Sequence, residues 1–153
     1  MKAPMPNDTP LSAAETRDLR AFAATMIPAS ATYGVPGADD EAISADIVQS
    51  LERDRDDIGA ALQRLATLTG GPFADLATDR RMEAATAFRA EGSPLLLALT
   101  RVILLCYYRD DRVMRSLGQE PRPPFPKGHT VQQGDWSLLD PVKARQPFWR
   151  RVD

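Results

Sequence analysis

Proline placement is what most limits how this chain can fold. The 153 residues include thirteen prolines: five in 1–36, two in 37–120 and six in 121–147. Proline has no backbone N–H and a fixed φ, so helix interiors and central strands exclude it. A long segment with two prolines, between two proline-punctuated ends, therefore reads as a helical body with irregular flanks. Both middle prolines sit where a helix tolerates them. Pro72 follows a Gly70-Gly71 stop, and Pro94 follows Ser93 at the first position of a helix.

Apolar spacing fills in the body. Ser12 and Glu15 fit a capping box, and Leu19, Phe22, Ala23 and Met26 form one helical stripe that Pro28 stops. The stretch 28–42 is rich in Gly, Pro and small residues and reads as a loop. Asp39, Asp40 and Glu41 suit the positive end of the next helix, whose stripe is Ile43, Ile47, Val48 and Leu51. Ile58, Ala61, Leu62, Leu65 and Leu68 continue the pattern to Gly70. One bent helix or two would satisfy 41–69, with the charged run 52–57 as the break. Phe73 and Leu76 suit a short anchoring turn. Thr78 is expected to cap a helix over 79–91 that turns Met82, Ala85 and Phe88 inward.

The segment Leu95 to Tyr108 is apolar nearly all round, which predicts a central core helix. It is shorter than the ~20 apolar residues a bilayer span requires, so no membrane insertion is expected. Asp110 or Asp111 can cap a last helix over 111–117, closed by Gly118. The expected fold is all-α: a bundle of about five to six helices over 1–118, then an extended Pro- and aromatic-rich arm over 119–153. The arm carries Phe125, Val131, Trp136, Leu138, Leu139, Val142, Phe148 and Trp149. So many apolar residues in unpatterned sequence must cover the chain's own core or a partner.

Scarcity excludes several chemistries. One Cys (Cys106) rules out an intramolecular disulfide, and one Cys with one His (His129) cannot supply a Cys/His-only zinc site. Cys106 falls inside the apolar helix and reads as a small buried hydrophobe. A Ser- or Cys-His catalyst would have to use His129, whose partner no spacing identifies. The paired carboxylates Asp39-Asp40 and Asp110-Asp111 sit at helix starts, where capping explains them. The glycine loops at 34–37 and 70–72 lack a phosphate-binding pattern. Tyr107-Tyr108 closes the central helix, where the rings could stack on a flavin or sugar or simply end the core.

The net charge of −2 argues against nucleic-acid binding. The charge is nevertheless uneven. Segment 39–57 has eight acidic residues against two arginines, and 143–153 has four bases against Asp153. Two solvated faces would account for this, as would a basic tail that docks on a partner. The first ten residues contain no apolar run and no twin-arginine pair. A cytoplasmic location is the expectation, or a periplasmic one if a signal-bearing partner carries the chain.

Three segments together resemble the gluconate 2-dehydrogenase subunit 3 family, the small subunits of FAD-dependent sugar and alcohol dehydrogenase complexes. They are Phe22 to Ala29 with the Ile27-Pro28 step leading into Gly34-Val35-Pro36-Gly37-Ala38-Asp39; Gly70-Gly71-Pro72-Phe73-Ala74-Asp75-Leu76; and Tyr107-Tyr108-Arg109-Asp110-Asp111-Arg112-Val113 followed by Leu117-Gly118. The resemblance spans about residues 17–130. It implies a non-catalytic chain without a cofactor of its own. Such a chain binds a large subunit of the glucose–methanol–choline type that holds FAD and the substrate pocket, and supports its folding, stability or export. Some complexes of the family add a cytochrome as electron acceptor. The residues expected to meet the partner are Tyr107, Tyr108, Phe125, Trp136, Trp149 and Arg150. Two other readings compete: a helical adaptor or chaperone for an unrelated client, and an independent enzyme that uses His129.

Overall fold

The computed structural model describes residues 10–51, 54–146 and 149. They fold into seven α-helices: α1 (Ala13–Met26), α2 (Glu41–Gln49), α3 (Arg55–Thr69), α4 (Thr78–Ala90), α5 (Pro94–Arg109), α6 (Asp111–Ser116) and α7 (Asp140–Lys143). Short 3-10 turns occupy Phe73–Asp75 and Trp136–Leu139. The protein is all-α, a small helical bundle with no strand among the described residues. The chain divides into two compact units, Met1–Pro121 and Arg122–Asp153.

In the first unit α1, α2, α5 and α6 each start at a local side-chain cap. At α1, Ser12 Oγ accepts from Glu15 N–H (3.2 Å) while Glu15 Oε2 accepts from Ser12 N–H (2.8 Å), the reciprocal pair the sequence predicts. Asp40 caps α2 by accepting from Ala42 and Ile43 N–H. Ser93 caps α5 with Pro94 directly behind it, and Asp110 caps α6. Gly70 ends α3 at φ +71°, a left-handed conformation that favours glycine. The open question over 41–69 resolves as two helices, α2 ending at Gln49 and α3 beginning at Arg55. The Thr78 cap does not form. Thr78 is the first residue of α4, and Ala77 precedes it without a side-chain cap.

The core lies where α3 and α5 cross, with α1, α2 and α4 around them. Its largest fully buried side chains include Phe73, Phe88, Leu19, Ile58, Leu99 and Ile103. Phe73 meets Phe22 with ring centroids 5.8 Å apart and planes tilted 56°. α4 presents Ala84, Ala85 and Phe88 to this core, while Met82 is exposed. Ala85 and Phe88 face inward as expected and Met82 does not; in that turn Arg81 lies inward instead, its Nη2 donating to Ala74 O at 2.5 Å.

Asp18, buried in α1, completes that anchor by accepting from Ala74 N–H at 2.8 Å. Both backbone groups of Ala74 are thus satisfied by side chains from different helices, which pins the Phe73–Asp75 turn. Asp18→Ala leaves the Ala74 N–H without this acceptor in a partly buried site. Urea unfolding should show a loss of about 1–3 kcal/mol.

The loop between α1 and α2 folds back on itself. Ala38 N–H donates to Ile27 O (2.9 Å), and a single antiparallel bridge pairs Ser30 with Val35. Gly37 sits where the two limbs meet. A Cβ there would lie 2.9 Å from Ala29 N and 3.3 Å from Ile27 O.

Candidate docking surface

α5 corrects the expectation of an all-round buried helix. Its inner side buries Ala98, Leu99, Val102, Ile103, Cys106 and Tyr107. Its outer side carries Leu97, Arg101, Leu104, Leu105 and Tyr108 at intervals of three and four, hence on one face. Leu97, Leu105 and Tyr108 are each more than half exposed and Leu104 more than a third. At 1.5 Å per residue the stripe from 97 to 108 runs for about 16 Å. The interruption by Arg101 was the legible sign, because a guanidinium in an apolar run marks the side that faces out.

A ladder of arginine–carboxylate pairs fixes this helix against its neighbours. Arg101 pairs with Asp54. Arg109 donates to both oxygens of Asp46 (2.6 and 2.5 Å) and to Ser50 Oγ (2.5 Å). Arg112, in α6, donates to Asp40 (3.1 and 2.8 Å) and to Asp110 (3.0 and 2.9 Å). Three acids of the 39–57 run, Asp40, Asp46 and Asp54, are therefore matched by arginines rather than turned wholly to solvent. The bonds from Arg112 are the main cause holding the Asp40 and Asp110 carboxyls below their usual value of 3.8.

Carboxyls lowered in the folded state contribute stability that is complete above their ordinary range and is lost as pH falls through the lowered values. Thermal unfolding followed from pH 6 downward, an arbitrary start well above the carboxylate range, should show melting temperature falling below about pH 4. Arg112→Ala should flatten that fall. It should cost no more than about 1 kcal/mol at neutral pH, since solvent screens these partly exposed pairs.

The two tyrosines at the end of α5 divide. Tyr107 turns into the chain's own core, only 4% exposed, and its hydroxyl donates to Pro36 O at 3.2 Å. It thereby ties α5 to the α1–α2 loop. Tyr108 faces outward, its ring edge-on to Tyr107 at 5.2 Å and 85°. Tyr107 supports Tyr108, and only Tyr108 offers a ring to a partner.

Cys106 is buried behind the outer face, on the wall of a groove of about 320 Å³ that Arg101, Leu105, Arg109, Ser50 and Asp54 also line. Burial pushes its thiol up, which keeps it protonated and unreactive at neutral pH.

The second unit has no buried residue among those described. Phe125 is 85% exposed, and Trp136, Leu138, Val142 and Trp149 are all more than half exposed. Asp135 accepts from Ser137 N–H and starts the turn that leads into α7, and the Trp136 indole donates to Gln133 Oε1 at 3.3 Å. Arg122 donates to Pro123 O (3.3 Å) and Gly128 O (2.6 Å), closing a loop around Phe125. His129 is exposed beyond that loop. Arg150 lies outside the described residues. No group of three or more His, Cys, Asp or Glu is placed to hold a metal ion among the described residues, and no helix there is long and apolar enough to cross a membrane.

The arrangement offers two apolar surfaces: the outer face of α5 in the first unit and the aromatic side chains of the second. Leu97, Leu104 and Leu105 belong to the first surface, although the sequence pattern assigns them to the core. Comparison with family models, with curated proteins and with solved structures found no match.

Proposed function

We propose that this chain is a non-catalytic small subunit of an FAD-dependent dehydrogenase of the glucose–methanol–choline type, oxidising a sugar or glycoside hydroxyl. Its role is to support folding, stability or assembly of the large flavin subunit. The observation that carries the docking role is the outward apolar face of α5, Leu97, Leu104, Leu105 and Tyr108, on a helix whose opposite side is fully used in the core. Leaving that much apolar surface in water forgoes roughly 25 cal/mol for each Å² a partner would cover. The exposed Phe125, Trp136 and Trp149 add rings of the type that anchors interfaces. The identity of the partner rests on the family resemblance of the three motifs. In that complex FAD supplies the hydride chemistry within the large subunit, and this chain supplies surface.

The test is purification of the tagged chain from its host. A yellow co-purifying flavoprotein, encoded by a neighbouring reading frame with a G-x-G-x-x-G fingerprint, supports the reading. A colourless, unrelated client would replace it with the adaptor role. A His129→Ala variant should leave the activity of the complex unchanged, and loss of activity would point to catalysis by this chain.

A further inference from the structure

Charge separates the two units. Residues 1–121 contain thirteen basic and eighteen acidic residues, whereas 122–153 contain six basic and three acidic ones. The body is thus acidic and the arm basic. The arm's bases are interspersed with its exposed rings: Arg122 and Lys127 flank Phe125, and Lys143 and Arg145 follow Trp136 and Leu139. Within the arm, Lys143 is offset by Asp140 at 3.0 Å.

We infer that the arm docks into an apolar trough with an acidic rim on the flavin subunit, the rings filling the trough and Lys127 and Arg145 meeting carboxylates at its edge. The inference rests on the docking role proposed above and adds the chemistry of the surface that receives the arm.

An acidic protein surface is repelled by the acidic body and attracted by the arm, so its first encounter is steered to residues 122–153. Nucleic acid fits less well. A phosphate backbone is held by many clustered bases, and here acids at 135 and 140 interrupt them. The large exposed rings also suit a shaped protein trough, where Trp and Arg supply most of the binding energy.

The experiment measures the affinity of the full chain for the flavoprotein from about 0.1 to about 1 M salt, across which the Debye length falls from roughly 10 to 3 Å. Three versions of the chain are compared: unchanged, Lys127→Glu with Arg145→Glu, and Lys127→Arg with Arg145→Lys. The expected results are a weakening on the order of tenfold with salt, a similar loss for the charge-reversed pair at low salt, and near-complete retention by the charge-conserving pair. Circular dichroism should show the same helical body in all three.

Tight binding that ignores both salt and charge reversal overturns the acidic rim and leaves the subunit role standing. Binding lost equally in the charge-conserving pair also overturns it, since charge would then not be what is read. Equal or tighter binding to phosphatidylserine vesicles overturns it in favour of a membrane surface. No binding to the flavoprotein at any salt overturns the subunit role and this inference together.

Discussion

Deletion of residues 119–153 should leave a cooperatively folded helical body that no longer captures the flavin subunit proposed as its partner. Every residue of the buried core cluster lies between Leu19 and Val113, so the deletion removes none of them. The lost segment holds Phe125, Trp136 and Trp149, all strongly exposed. Because a few buried aromatic and arginine anchors carry most of an interface's energy, removing several at once should abolish capture rather than weaken it. Thermal unfolding and circular dichroism check the first half of the expectation, and pull-down checks the second. A truncated chain that fails to fold would mean that the arm covers its own core. A truncated chain that still captures the partner would move the docking role wholly to α5.

The second large effect belongs to the outer face of α5. Leu97→Asp with Leu105→Asp places two charges where the side chains already meet solvent. Stability should change by about 1 kcal/mol at most, at the rate of up to ~0.5 kcal/mol for each surface substitution. If the face is covered in the complex, the same pair of charges is buried there without partners, and affinity should fall at least roughly 100-fold. Leu99→Ala gives the contrast. Leu99 is fully buried on the opposite side of the same helix, and its truncation should cost about 2–5 kcal/mol in urea unfolding. A Leu97/Leu105 double variant that unfolds like a core mutant would remove the case for an exposed docking face.

The parts of the fold that sequence revealed are those governed by local chemistry. Ser12 with Glu15, Asp40, Ser93-Pro94 and Asp110 each satisfy backbone groups within a few residues, so caps and helix limits could be read without knowing what packs where. What sequence misplaced depends on tertiary partners. Nothing in the spacing of α4 announces that Arg81 turns inward to Ala74 O and Met82 outward. Nothing near Asp18 reveals that it caps a turn 56 residues away. The acidic run 39–57 reads as a solvated face because its arginine partners, 101, 109 and 112, come from the far side of the sequence.

The candidate surface was partly legible for the same reason. Aromatics in unpatterned sequence point to docking wherever they sit, but the face that an apolar helix exposes is set by the helices beside it. α3 and α2 pack on one side of α5, and that packing leaves Leu97, Leu104, Leu105 and Tyr108 outward.

The most direct test is co-expression of this chain with the flavin subunit proposed as its partner, compared with expression of that subunit alone. The measured quantity is the soluble, flavin-loaded large subunit, read as yellow absorbance across a size-exclusion profile that is also probed for this chain. Both chains should elute together, and soluble, flavin-loaded large subunit should drop sharply when this chain is omitted. A flavoprotein that is equally soluble, loaded and active without it, with the two chains eluting separately when both are present, would contradict the account.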